Sequence, residues 1–267
     1  MAAVHHNRLD QLFSIKKKNI LSIFCTAGYP QLSNTIEVMK ALQDNGADMI
    51  EVGMPYSDPL ADGPVIQESS HVALANGMTI AVLFEQLKHL RDEIRVPVLL
   101  MGYMNPVLQY GFERFCSDAS SVGIDGIILP DLPMHEFEKD YKVIVEQNHL
   151  HFIFLVTPET GEERIRKIDE LSSGFIYAVS SSSTTGHAQE ILENKANGVQ
   201  QSYFKRLHDM NLNNPFLVGF GVKDAQTFDA ACKYSRGAII GSAYIRALGA
   251  GEDFRQTTKE FLNSIRK

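Results

Sequence analysis

Glu51 is the residue hardest to explain as packing. It interrupts the otherwise apolar segment Met49-Ile50-Glu51-Val52-Gly53. On an extended strand Met49, Glu51 and Gly53 share one face, and Ile50 and Val52 take the other. If the second face packs on helices, the Glu51 carboxyl points into the protein interior. Loss of water there raises its proton affinity and suits it to general acid–base work. The plainer alternative is a buried glutamate satisfied by a backbone or hydroxyl donor. Just beyond lies Pro55-Tyr56-Ser57-Asp58-Pro59-Leu60-Ala61-Asp62-Gly63-Pro64. Its prolines and glycine stiffen the chain and present Asp58 and Asp62 in defined positions. Asp62 alone reads equally as a cap for a following helix with Pro64 near its first turn. Beside Glu51, it reads as the second carboxylate of one strand–loop corner.

Two glycine sites add a different chemistry. Gly219-Phe220-Gly221 and Gly241-Ser242 each follow an apolar run. Glycine lets backbone approach a ligand closely, and a helix N-terminus behind it points N–H groups at an anion. Such a site would hold a phosphate without using a lysine. Tight turns are the alternative. The lysines all lie outside the apolar runs, which argues against a Schiff-base aldolase. The histidines are scattered: His151 opens a run, at the wrong end for catalysis, and His187 falls in a long connection. That pattern does not suit a metal-dependent lyase. Proton transfer by carboxylates on a phosphorylated substrate remains.

The elements that must position these groups are legible as apolar runs. They are Ile20–Cys25, Met49–Val52, Val96–Met101, Ile124–Leu129, His151–Val156, Phe175–Val179, Pro215–Val218 and Gly237–Ile240. Runs apolar on both faces are the habit of parallel sheets. Between them the apolar residues take helical spacing, as in Ile80, Leu83, Phe84, Leu87, Leu90 and Ile94. Eight β-then-α units in 267 residues predict a closed (β/α)8 TIM barrel forming a single domain over residues 1–267. An open doubly wound sheet is the alternative, but its G-x-G-x-x-G fingerprint is absent. A short extra N-terminal helix around Arg8–Lys18 is expected to plug or flank the barrel bottom. Extra helices are expected after the second and eighth strands, the first over Val65–Asn76. The connections Met54–Gly63 and Ser180–Asn197 are longer than a barrel needs, as active-site loops and lids often are.

The charge balance, 25 Lys+Arg against 32 Asp+Glu for a net of −7, argues against nucleic acid or an anionic membrane as main partner. Cys25, Cys116 and Cys232 are widely spaced in apolar segments and read as buried reduced thiols. With no apolar leader segment, the expected location is cytoplasmic.

The stretch from Glu51 to Gln67, with its Gly-Met-Pro-Tyr-Ser-Asp-Pro-Leu-Ala-Asp-Gly-Pro core, closely resembles the signature of tryptophan synthase α chains. Phe24–Pro30, Met101–Pro106, Ile128–Pro133, Tyr177, Thr185-Gly186, Gly219–Gly221 and Gly241-Ser242 match as well. The resemblance implies a (β/α)8 barrel that cleaves indole-3-glycerol phosphate to indole and glyceraldehyde 3-phosphate without a cofactor. It implies Glu51 as acid and base, Asp62 on the indole N–H, and Tyr177 assisting at the same centre. Phe24, Met101, Tyr103, Thr185, Gly186, Phe220, Gly221, Gly241 and Ser242 would bind substrate. Of these, Phe24 and its apolar neighbours would enclose the indole, while Gly186, Gly221, Gly241 and Ser242 would surround the phosphate. A pyridoxal-phosphate β chain would receive the indole in an αββα complex, facing Pro55, Asp58, Asn105 and Pro106. The chain departs from the family pattern at Ser180–Thr185, where well-known members carry Arg and Gly, and this lid is expected to be poorly ordered without ligand. A stand-alone indole-3-glycerol-phosphate lyase releasing free indole is the alternative.

Overall fold

The computed structural model describes residues 7–179, 202–219 and 221–266. Nine parallel strands form one sheet: β1 (Ile20–Thr26), β2 (Met49–Gly53), β3 (Val98–Met101), β4 (Gly126–Ile128), β5 (His151–Phe152), β6 (Leu155–Val156), β7 (Ile176–Val179), β8 (Phe216–Gly219) and β9 (Gly237–Ile240). Their order is β5-β4-β3-β2-β1-β9-β8-β7-β6. The two edges of that sheet, β5 and β6, are halves of one apolar run. Ile153 N–H donates to Ile127 O toward β4 at 3.0 Å, and Tyr177 N–H of β7 donates to Phe154 O at 2.9 Å. Covalent continuity between the two halves therefore closes the cylinder. The eight expected runs make nine strands because the fifth changes partners midway. The result is a (β/α)8 barrel.

Strand alternation explains why the runs read as continuously apolar. Ile20, Phe24, Met49, Leu99, Met101, Ile128 and Leu217 fill the inside of the barrel. Leu21, Ile23, Ile50, Val52, Leu100, Ile127 and Val218 pack outward against the helices. A β-strand with both faces buried needs apolar residues at both parities.

The helix Arg8–Ile15 closes the bottom: Leu9 belongs to the inner cluster, and Phe13 lies 5.9 Å from Phe175, ring centre to ring centre. It stops three residues short of the expected Lys18, because Lys16 turns extended and its ammonium binds both Asp48 oxygens at 2.8 and 2.6 Å. Arg266 reaches the same carboxylate at 2.6 Å. Asp125, also buried at this end, holds Arg8 and Arg91 and accepts from Val98 N–H.

At the opposite face the connections carry more structure. The helix Pro64–Ala75 follows β2, and the helices Ser242–Ala250 and Phe254–Ile265 follow β9, as expected from the sequence. All three cysteines are free and buried. Among the described residues, no helix is long and apolar enough to cross a membrane.

Candidate active site

Glu51 sits mid-strand in β2, in register with Phe24 of β1 and Leu99 of β3, and is fully buried. Met49, on the same face, belongs to the inner cluster, while Ile50 and Val52 belong to the outer one. The carboxyl therefore points inward. Its Oε1 accepts from Ser22 Oγ at 2.9 Å, and its Oε2 has no hydrogen-bond partner. Burial pushes its pKa up to about 8, partly offset by the Ser22 bond. A structural glutamate would have both oxygens satisfied. This one has a single anchor and a bare oxygen.

Tyr177 lies on β7, four strand steps from β2 and so on the opposite wall of the ring. It is buried, and its hydroxyl pKa is raised well above the ordinary value, first by burial and then by the charges of Glu51 and Asp62. It stays a neutral phenol. Gly219 on β8 makes room for it, since a Cβ there would run into the Tyr177 ring and hydroxyl. Gly53 does the same for the Phe24 ring across from it.

Asp62 does not cap the helix that follows. Gly63 occupies the N-cap position, without a side-chain bond. The Asp62 carboxylate accepts instead from Tyr103 Oη at 3.0 Å, and the same hydroxyl accepts from Ala61 N–H at 3.1 Å. Burial raises the Asp62 pKa to about 6, with the Tyr103 bond opposing. The loop is thus pinned from two directions, the second being Gln67 Nε2 donating to Asp62 O at 2.8 Å. Tyr103 is itself held where Asp131 accepts from Met104 N–H at 3.0 Å.

A cavity of about 210 Å³ opens among these groups. Phe24, Ile66, Met101 and Ile239 form its apolar walls, and Asp62 and Tyr177 supply polar atoms. Gly221, Gly241, Ser242 and Ala243 line it further, together with Val222, Lys223 and Arg246. The two glycine sites prove unequal. The helix Ala225–Cys232 after β8 has its N-terminus occupied by Asp224, which accepts from Thr227 N–H. The helix Ser242–Ala250 begins at Gly241 with no side-chain cap, so its first-turn N–H groups are open to an anion.

The expected residues Phe24, Asp62, Met101, Tyr177, Gly221, Gly241 and Ser242 thus surround one cavity. Tyr103 stands behind Asp62 and not in the wall. Glu51 lies just beneath the wall, with Ser22 holding it down. Thr185, Gly186, Phe220 and the Ser180–Thr185 lid fall outside the described residues. Lys223 and Arg246, which the sequence reading did not place at the site, line the same cavity. Ile66 and Ser22 were missed too, although Ser22 shares strand parity with inward-facing Ile20 and Phe24 and was readable on that ground. Pro55 and Pro106 are half-buried, Asp58 and Asn105 exposed. Asn105 Nδ2 donates to Tyr56 Oη at 3.2 Å, which joins the two segments.

Comparison with known proteins gives one answer. The family model described as "Tryptophan synthase alpha chain" matches residues 11–267. The tryptophan synthase alpha chain of Parabacteroides distasonis is 49% identical over 98% of this chain and 100% of its own length. That of Flavobacterium johnsoniae is 49% identical over 97% and 100%. Among solved structures, tryptophan synthase subunit alpha from Legionella pneumophila superposes with a TM-score of 0.86 at 30% identity, covering 98% of this chain and 97% of that one. The aminoacrylate-bound tryptophan synthase of M. tuberculosis gives 0.82 at 31%, covering 98% and 100%. With nearly every residue matched and the barrel shared, this chain belongs to the tryptophan synthase alpha chain family.

Proposed function

We propose that the chain cleaves indole-3-glycerol phosphate by a retro-aldol reaction, yielding indole and glyceraldehyde 3-phosphate, and passes the indole to a β subunit that condenses it with serine. One observation carries the reading: two carboxyl groups at one corner with pKa values pushed to about 8 and about 6. Near neutral pH Glu51 is protonated and Asp62 ionised, which is the division of labour this reaction needs. Glu51 turns from Ser22 into the cavity and delivers its proton to indole C3. The positive charge that develops on the ring nitrogen is met by the Asp62 carboxylate, which accepts the indole N–H. The Glu51 carboxylate then takes the proton of the glycerol hydroxyl attached to the carbon joined to C3. That carbon becomes the aldehyde, and the C–C bonding electrons return to the ring and restore aromatic indole. Glu51 ends protonated, ready for another turnover, so no cofactor is needed. Tyr177 braces the ring side, and the phosphate docks at the open N-terminus of the helix Ser242–Ala250.

The subunit reading is favoured over a stand-alone lyase by the surface beside the cavity. Leu60 is 93% exposed on the Asp62 loop, and Leu108 is 49% exposed one turn beyond Asn105. Apolar side chains left bare on the two segments joined by Tyr56 and Asn105 suit a protein partner. The test is indole release from indole-3-glycerol phosphate by the purified chain, titrated with a tryptophan synthase β chain. Release that rises with β chain supports the reading, and no indole at any β-chain concentration overturns it.

A further inference from the structure

We infer that Lys223 and Arg246 form a cationic rim over the Gly221–Gly241–Ser242 end of the cavity and hold the substrate's phosphate dianion with side-chain charge. The inference rests on the reading of the cavity as a phosphorylated-indole site. Both side chains line that cavity. Lys223 enters from the turn after β8. Arg246 stands four residues into the helix that starts at Ser242, one turn above that residue on the same face.

Neither charge sits in a close ion pair, although the Asp224 pKa, lowered first by its Thr227 hydrogen bonds, is lowered further by Lys223 through space. Lysines and arginines around the barrel repeatedly sit against carboxylates: Lys16 on Asp48, Lys40 on Glu93, Arg91 on Asp125, Lys167 on Glu138. Among the described residues Lys223 and Arg246 take part in no ion pair. The carboxylate adjacent in sequence to Lys223, that of Asp224, is turned to Thr227, accepting from its N–H at 2.8 Å and its Oγ1 at 2.7 Å. Lys223 N–H donates to Thr227 Oγ1 at 3.0 Å, so the backbone that presents the ammonium is fixed while the ammonium makes no ion pair.

The charge layout fits one kind of ligand. Asp62 comes from the β2 connection, three strand steps round the ring from β8, and Phe24, Ile66 and Ile239 contribute apolar wall to the same cavity. A molecule with an N–H donor on a flat apolar body and a dianion at its other end satisfies both poles. A chain with a net charge of −7 repels a dianion at long range, and two local cations offset that repulsion at the entrance. With backbone N–H groups alone, salt would screen that repulsion and lower KM, whereas capture by exposed cations is itself screened and KM rises with salt.

The experiment measures KM and kcat for indole-3-glycerol phosphate in the complex with β chain, for wild type, Lys223→Gln, Arg246→Gln and the double variant, at low and high salt. Inhibition by inorganic phosphate is measured alongside. KM should rise about threefold in each single variant and about tenfold in the double, with kcat within about twofold of wild type. Phosphate inhibition should weaken in parallel, and the salt dependence of KM should flatten in the double variant. Lys223→Arg and Arg246→Lys should restore wild-type KM. If wild type releases indole and the double variant keeps its KM and salt slope, the rim is refuted and the proposed function stands. If wild type binds phosphate through Lys223 and Arg246 yet releases no indole, the rim stands and the proposed function falls.

Discussion

Glu51 is badly placed for stability, buried with one oxygen unpaired. Its pKa of about 8 in the fold lies above the ordinary 4.5, so the folded state holds a proton that the unfolded chain releases. Stability from this group is therefore complete below pH 4.5 and declines as pH rises to about 8, by several kcal/mol in all. Glu51→Gln keeps the Ser22 bond and removes the titration. It should fold, lose at least about a hundredfold in kcat, and resist urea better than wild type at pH 9 than at pH 5. Equal urea midpoints at both pH values would contradict the buried, protonated carboxyl. Asp62 sets the other side of the rate profile. Turnover should climb with pH through about 6, as Asp62 ionises, and fall through about 8, as Glu51 does. Because the Tyr103 hydroxyl lowers the Asp62 pKa, Tyr103→Phe should shift the acid limb upward while leaving the alkaline limb in place.

At the level of strands and loops, close approach decides what is tolerated. Gly219→Ala places a methyl group in the space of the Tyr177 ring, which would have to shift into the cavity it lines. The variant should lose about 1–3 kcal/mol of stability and at least about tenfold in turnover, measured by urea unfolding and indole release. The eight runs were legible because a strand buried on both faces must be apolar throughout, and Glu51 was legible because it breaks that rule. The division of the fifth run into β5 and β6 was not, since it depends on which neighbour each half pairs with and not on its composition. The π-helical turn Phe137–Tyr141 left no sequence signal either. Lys223 and Arg246 went unread for a related reason. In sequence Lys223 is an ordinary cation in a turn and Arg246 a lone cation on an otherwise apolar helix, and only the ring brings the β8 turn and the β9 helix to one opening. Asp62 was ambiguous because a cap and a ligand both want a carboxylate before a proline. The structure removes the cap: Gly63 takes the N-cap position, and the Asp62 carboxylate accepts from the Tyr103 hydroxyl of the β3 connection.

For the whole molecule, the face that carries the cavity also carries the exposed Leu60 and Leu108. Leu60→Asp and Leu108→Asp should each raise the β-chain concentration needed for half-maximal activation by about tenfold, as expected for apolar anchors at an interface. Unchanged titration curves would place the partner elsewhere. The opposite face is built for rigidity, with Asp48 and Asp125 each gathering two cations from distant parts of the sequence. The cavity at one end of the barrel and the fastening at the other are thus kept apart.

The handover between β5 and β6 has a consequence for how the cylinder breathes. Each half contributes only two residues to its ladder, whereas β1 is matched to β2 over five. That thin stave stands diametrically across from β1, the strand that holds Glu51 down through Ser22. Deuterium should enter the amides of residues 151–156 well before those of β1 and β2. A hoop that parts at its weakest joint, on the far side from its acid, can flex without spilling the proton it keeps.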